Sequence, residues 1–455
     1  MSTGRLLPAV ILGLAITAAT MIILGPAAQL DASPSRPLVG DVPTPLVRFV
    51  AVSGSDVVNA CQDPASPCRT LQHAVDSAGS GDLILVSQGT YTDVHSRGGI
   101  TQVLHITKAV TVWGGYAPTN NFEGERHPAI YTTTLDAQGR GRVLVIDGGS
   151  ATLDGLILSG GAGYYSGGGV RVVGGGRLTL SHSRVEGNSA TGDGGGIFVN
   201  GGRAEITDNS VLGNVSNWGA GLRLINGAEI VVCGNEVRNN VAQASAGGID
   251  VDCCRRATAL IAQNVVLDND GGSLGGGIRI HGSDAMLVNN FVARNRADIG
   301  SDVFLEGQPG YAVSTTLLHN TVVGRGQGGE GLRVEGNGSV VLVNNIVVSH
   351  AVGITNVLPA SASVNADHTL FEGNDVDFGP DVAATSVLTG CPAFVDPDAG
   401  DYHITAGSAA VDAGVWAGVS IDIDDELRSL PPDLGADEFR ALSIVARVYL
   451  PVVVR

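Results

Sequence analysis

Residues 194–214 read GGGIFVNGGRAEITDNSVLGN, and two marks in this stretch recur along the chain. The first is an asparagine followed two residues later by valine, here Asn209 and Val211. It returns as Asn235, Asn264, Asn290, Asn320 and Asn345 with Val237, Val266, Val292, Val322 and Val347, at spacings of 26, 29, 26, 30 and 25. Three residues before each asparagine stands an aliphatic: Ile206, Val232, Ile261, Leu287, Leu317, Leu342. The second mark is Gly-Gly-Gly-Ile, found as GGGV at 167–170, GGGI at 194–197, GAGL at 219–222, AGGI at 246–249 and GGGI at 275–278. Self-similarity at a fixed period means a solenoid, in which one repeat cannot bury its apolar face without its neighbours.

The composition of the repeat says what the coil is made of. Apolar and polar residues alternate over short runs, which is the strand signature. Helical periodicity is absent, and 66 glycines in 455 residues are hard to reconcile with helical repeats. Stacked coils put equivalent residues about 4.8 Å apart. Aliphatic side chains then stack inside, and asparagine amides stack in ladders that hydrogen-bond from coil to coil. The expected fold is therefore all-β, a right-handed parallel β-helix. A leucine-rich repeat has a similar period, but its L-x-x-L-x-L pattern is missing.

The net charge of −18 and sequence pI of about 4.8 argue against nucleic acid as a partner. Residues 1–30 read as an export segment, with Arg5 before an uncharged, mostly apolar run from Leu6 to Leu24 and small residues at Ala27-Ala28. This segment is either a cleaved signal peptide or, if retained, a signal anchor and the chain's contact with a membrane. Residues 31–47, rich in Pro, Ser and Asp, read as a linker. Six cysteines fit an oxidising compartment, and the expected location is secreted or cell-surface. Cys61 and Cys68 bracket a Pro-rich loop and are expected to pair; Cys233, Cys253, Cys254 and Cys391 are left unassigned.

Both flanks of the repeat region carry further motifs. Phe49 to Asp56, Cys68-Arg69-Thr70-Leu71-Gln72-His73-Ala74-Val75, Gly81-Asp82-Leu83-Ile84-Leu85-Val86 and Gly89-Thr90-Tyr91 resemble the N-terminal cap and first coil of exported bacterial right-handed β-helix proteins. The resemblance implies a short capping helix over about Arg69 to Ala78. Pro392-Ala393-Phe394-Val395-Asp396-Pro397, Gly400-Asp401-Tyr402-His403, Gly407 to Gly414 and Asp433 to Phe439 resemble the choice-of-anchor Q domain of bacterial surface proteins. The D-x-D-G-x-x-R-P of that family becomes Asp422-Ile423-Asp424-Asp425-Glu426-Leu427-Arg428-Ser429, without its glycine and proline. VEGN at 185–188, VLGN at 211–214, VARN at 292–295 and FEGN at 371–374 resemble polymorphic outer membrane protein repeats. The expected organisation is a capped β-helix over 48–390, a choice-of-anchor type segment over 391–440 and an apolar tail over 441–455.

Alternation along the strand after each glycine mark predicts which residues face outward. The first outward column is Arg171, Phe198, Arg223, Asp250, Arg279, Phe304 and Arg333; the second is Val173, Asn200, Ile225, Asp252, His281, Glu306 and Glu335. Asp250 and Asp252 flanked by Arg279 and His281 invite a catalytic reading, a Ca²⁺-assisted polysaccharide lyase or a hydrolase. The plainer reading is a solvated face of weak surface ion pairs, each worth about 0–1 kcal/mol. Arg223, Phe198 and Phe304 are then candidate ligand-binding residues for an extracellular polysaccharide or another surface component. Asp396, Asp398 and Asp401 could offer oxygen ligands to Ca²⁺, the only cofactor suggested, as could Asp422, Asp424 and Asp425. Tyr164, Tyr165 and Trp218 lie in glycine-rich connections where rings could stack on sugar. No Ser-His-Asp set has positional support, and a non-catalytic binding or adhesive surface is the leading expectation.

Overall fold

The computed structural model describes residues 45–440 except 118–120, 228, 253–257, 309, 311, 327 and 358–361. The expected export segment, most of the linker, Cys253, Cys254 and the apolar tail therefore lie outside the described residues. Each coil contributes one strand to each of three long sheets, parallel throughout except for His95–Arg97, which pairs antiparallel at the N-terminal edge of the third. Among the described residues the first sheet has 13 strands and the second and third have 12 each. In one coil the chain runs through Arg177–Ser181 in the first sheet, Arg184–Glu186 in the second and Ile197–Asn200 in the third. A small four-stranded sheet (Ala162–Gly163, Ser189–Ala190, Val215–Trp218, Val241–Ser245) fills the corner between the second and third. Successive coils pair in register, as in Val170 with Ile197, Leu222 with Ile249 and Ile278 with Val303. This is a parallel β-helix.

Inward residues of all three sheets make one continuous apolar core, from Val50 to Val382. Burying each Val, Leu or Ile stabilises by about 1.5–3 kcal/mol, and stacking like on like leaves few gaps. The open N-terminal end is closed by the helix Leu71–Ser77, which buries Leu71, Gln72, Ala74 and Val75. Thr70 starts it, its hydroxyl accepting the His73 N–H at 3.3 Å. The Cys61–Cys68 disulfide holds the loop before this helix. Cys233 and Cys391 have no disulfide partner among the described residues.

The corners explain the asparagines. Asn264 donates its backbone N–H and its Nδ2 to Asn290 Oδ1, both at 3.0 Å, and its Nδ2 also to the Val232 carbonyl at 2.8 Å. Its own Oδ1 accepts the same pair of donors from Asn235. The residue before each ladder asparagine takes positive φ: Asp208, Gly234, Gln263, Asn289, His319 and Asn344. That kink turns the strand of the first sheet into the strand of the second. A second ladder, Asn188, Asn214, Asn240, Asn269 and Asn295, runs along the other end of the second sheet with the same bonds. Asn214, Asn240, Asn269 and Asn295 stand five residues after the first marks Asn209, Asn235, Asn264 and Asn290, and Asn188, Asn214 and Asn295 were read there only within a family resemblance.

After Thr389 the chain doubles back rather than extending the stack. The antiparallel pair Phe394–Asp396 and Asp401–Ile404, with the loops to Phe439, packs on the outer face of the second sheet. Tyr402, Ile404, Ala410, Leu434 and Ala436 cover Leu267, Phe291, Ala293, Val323, Ile346 and Leu370. Buried Arg428 ties this segment down, donating to the Gly435 and Ala436 carbonyls and to Asn289 Oδ1, each at 2.9–3.0 Å. The kinked corner residues add further ties: Gln263 to the Asp422 carbonyl, Asn289 to that of Ile421, Asn344 to that of Val415.

Candidate functional site

The outward columns of the third sheet are aligned as the alternation predicts. Phe198, Arg223, Asp250, Arg279, Phe304 and Arg333 follow one another from coil to coil, as do Asn200, Ile225, Asp252, His281, Glu306 and Glu335. The expectation that they form a solvated face is corrected: Phe198, Arg223, Asp250, Arg279 and Phe304 are all buried. The reason is the turn that precedes each strand. Gly194, Gly219, Gly275 and Gly300 adopt φ near +60°, and Ala246 does so in the Asp250 coil. This folds the chain back over the first outward column. A Cβ on Gly219 would lie 2.7 Å from that of Arg223, and one on Gly300 2.8 Å from that of Phe304. Glycine suits both the φ and the close approach at these two turns, while the Asp250 coil makes the same turn with Ala246.

Beneath this cover the charges are paired throughout. Arg223 bonds Asp250 and Asp252, the latter at 2.8 Å, and reaches Asp193 at 3.4 Å. Arg279 bonds Glu306 at 2.6 Å and Asp250 at 3.3 Å. His281 Nδ1 lies 2.9 Å from Asp252 Oδ1. Burial works to raise the Asp252 carboxyl, but the His281 bond and the Arg223, His281 and Arg279 charges outweigh it and hold it at about 2. Burial likewise opposes the Arg223 charge and loses to Asp250, Asp252 and Asp193, which raise its pKa. Asp193, at the edge, is pushed up by burial and by the neighbouring acids despite Arg223. A carboxylate held this low and this fully bonded is a poor base and has little free lone-pair capacity for a cation.

Aromatic residues stand beside this network and are open to solvent. Tyr164 and Tyr165 are 70% and 68% exposed and Trp218 39%. Ser166, Asp193 and Trp218 are bridged in succession, so the tyrosines lie two coils, about 10 Å, from the tryptophan along the corner. The Arg223 guanidinium sits 5.9 Å from the Trp218 ring centroid. The paired charges therefore fix the arginine that supports the tryptophan from one side. Phe198 and Phe304, named with Arg223 as ligand-binding residues, are covered and cannot meet a ligand in this conformation.

The acids proposed for Ca²⁺ fall on the doubled-back segment. Asp396 accepts the Ala399 N–H at 3.1 Å, Asp401 binds His403 Nδ1 at 2.5 Å, and exposed Asp398 sits in the turn between them. This trio is not among the groups that bring three ligand atoms within 4.8 Å of one another among the described residues. The hairpin sets Asp396 opposite Asp401. His403, Asp424 and Asp437 do converge to that distance. His403, however, gives both ring nitrogens to acids, with Nε2 2.8 Å from Asp424 Oδ2, and the Asp424 and Asp401 bonds raise it to about 9 despite burial. The group is a cationic strut. Asp422 caps its own loop, accepting the Asp424, Glu426 and Glu438 N–H groups. A cavity of about 470 Å³ lies here between Gln263, Phe291, Gly400 and Asp425. Cys233 lines it, its thiol pushed up to about 11 by burial with Asp208 and Asp425 nearby.

Residues 121–297 match the family described as right handed beta helix region. No curated protein matches the sequence. Among solved structures the chain is similar to pectate lyase Pel9A, at 15% identity and a TM-score of 0.46, over 87% of this chain and 97% of that one. It is also similar to the GH136 lacto-N-biosidase from Eubacterium ramulus, at 11% identity and a TM-score of 0.36, over 76% and 68%. These likenesses concern architecture, and no residue's role follows from them. The fold is an all-β, right-handed parallel β-helix.

Proposed function

We propose that this is an exported, secreted or cell-surface β-helix that binds glycan along the corner of its third sheet without cleaving it. The observation that carries the reading is the contrast at that corner. Asp250, Asp252, Arg223 and Arg279 are mutually bonded and covered, whereas Tyr164, Tyr165 and Trp218 beside them are exposed. A uronate lyase needs a free base and a cation held to about 0.5 Å of their working positions. An acid pair neutralised by arginines from both adjacent coils supplies neither. Exposed aromatic rings on a rigid stack offer apolar faces that can pack on sugar at low entropic cost. The Cys61–Cys68 disulfide supports an oxidising compartment.

A glycan array with the purified protein tests this directly. Selective binding that weakens about tenfold or more in Trp218→Ala, with unfolding unchanged, is the expected result. Ca²⁺-dependent unsaturated product from a uronan, lost in Asp250→Ala and Arg279→Ala, would instead establish the lyase reading.

A further inference from the structure

One acid at the edge of the charged network has a carboxyl group that accepts no hydrogen bond among the described residues. Asp250 accepts from Arg223 and Arg279, and Asp252 is bonded by Arg223 and His281. Asp193 has only the Arg223 Nε, 3.4 Å away as an ion pair and outside hydrogen-bond geometry. The two terminal nitrogens of Arg223 are committed to Asp250 and Asp252, so the network closes without Asp193. Arg142 and Arg171 each put Nε on Ser166, at 2.9 Å from its carbonyl and 3.2 Å from its hydroxyl, and neither bonds Asp193. The Asp193 side chain is 36% exposed, against 0% for Asp250 and 20% for Asp252. A carboxyl group with about four lone-pair sites is left open to solvent.

This group lies between the aromatic residues of the corner. The Asp193 N–H donates to the Tyr165 carbonyl at 2.7 Å, and Asp193 is bridged to Ser166 on one side and to Trp218 on the other, one coil or about 4.8 Å each way. The guanidinium that pairs with Asp193 is the one 5.9 Å from the Trp218 ring centroid. In the next column Tyr165, Gly192 and Asn217 follow one another, and at Gly192 the coil offers backbone alone. The Gly192 carbonyl takes the Asn217 and Trp218 N–H groups at 2.9 and 3.0 Å, and Asn217 Nδ2 donates to the Thr191 carbonyl at 2.8 Å. Tyr164 and Tyr165 meet edge to face on the N-terminal side of this gap, with centroids 4.4 Å apart. An open acceptor therefore stands in a dip flanked by exposed rings.

We propose that Asp193 is the residue that orients the glycan on this corner, accepting hydrogen bonds from a sugar ring whose C–H face lies on Trp218. The inference rests on the glycan-binding reading above and names the chemistry its ligand must bring, hydrogen-bond donors on the rim of the ring. A pyranose has apolar faces and a rim of hydroxyls, so a ring stacked on Trp218 has its rim within reach of the neighbouring coil. Apolar contact of this kind supplies area, and a few placed polar groups fix orientation. The role does not turn on the protonation of Asp193, because a carboxyl oxygen accepts from a hydroxyl in either state. The donor can be a hydroxyl of a neutral sugar or the ammonium of an amino sugar.

Titration calorimetry of the full protein tests the assignment, using β-1,4-linked hexasaccharides of glucose, mannose and galactose, their O-methylated forms, and hexaglucosamine. At least one unmethylated chain should bind with a Kd of about 1 mM or tighter. Its O-methylated form keeps the stacking surface but loses the donors, and should bind about tenfold more weakly. Asp193→Ala should weaken the unmethylated chain about tenfold, leave the Tm in place and narrow the gap to the methylated chain. Asp193→Asn keeps an acceptor oxygen and should stay within about threefold of the wild type. Hexaglucosamine tighter than the glucose chain, by a margin that shrinks with added salt, identifies the ammonium as the preferred donor; equal or weaker binding identifies the hydroxyl. Wild-type affinity in Asp193→Ala, or a methylation gap that this substitution leaves unchanged, overturns the assignment, and loss of binding in Trp218→Ala then shows that the glycan-binding reading survives it. No binding of any chain at about 10 mM removes both.

Discussion

Two rows of asparagine flank the second sheet, and they differ in one respect. The row from Asn209 to Asn345 passes a neutral amide from coil to coil without a gap. The row from Asn188 does so until Asn295, where it passes through Asp302 and His350 before returning to Asn374. Both rows solve the same problem, the unpaired N–H and C=O groups of a tight corner buried away from water. The unbroken row solves it with uncharged groups that cost little to bury. The broken row admits a carboxylate and an imidazole at a fully buried corner, which raises the Asp302 carboxyl by desolvation.

The charged network on the third sheet sets the upper end of the scale. Asp250 is fully buried between two arginines, so Asp250→Ala leaves two guanidiniums facing each other under the glycine turns. It should destabilise by about 3–5 kcal/mol, seen as faster hydrogen exchange in Leu222–Ile225, Ile249–Asp252 and Ile278–His281. Asn264→Ala in the unbroken row removes one acceptor and strands two donors of Asn235, and should cost about 1–3 kcal/mol in chemical denaturation. A change within about 0.3 kcal/mol would mean that the amides do not hold the stack. Asp302→Asn sharpens the comparison from the other side. It returns an amide oxygen to the broken row, so stability should shift by no more than about 1 kcal/mol in chemical denaturation.

The smallest effect belongs to the covered outer face of the second sheet. His403 titrates at about 9, above its ordinary 6.5, because Asp424 and Asp401 bind its protonated form. A raised histidine contributes fully below about 6.5 and loses that contribution as pH rises through 9. Asp433 and Asp437, raised to about 6 by burial, are already ionised across that window and do not obscure it. Limited proteolysis of residues 391–440 should therefore quicken between pH 7 and 10, and His403→Gln should flatten the dependence. Solvent screens these half-exposed groups, so the change is modest.

What could be read from the sequence follows the repeat. The first ladder, the inward aliphatics and the outward columns were legible because a 25-to-30-residue period puts equivalent residues in contact. The burial of Arg223 and Asp250 was not, because it depends on a positive-φ turn folding back over its own strand, which alternation does not encode. The Asp302–His350 pair was hidden for a related reason. The two residues are 48 apart in sequence, in adjoining elements of different coils, and neither repeats. The docking of 391–440 through Asn289, Gln263 and Asn344 was equally invisible, since the residue before each ladder asparagine varies freely in sequence while its kinked backbone does not.

The central claim is that the corner of the third sheet binds glycan and leaves it intact. The most direct measurement is to follow one array-selected glycan and a uronan with the wild-type protein, reading binding and product together. The account predicts saturable binding that is lost in Trp218→Ala, and no Ca²⁺-dependent absorbance of unsaturated product between pH 7 and 10. Product that accumulates with the wild type and vanishes in Asp250→Ala would contradict it.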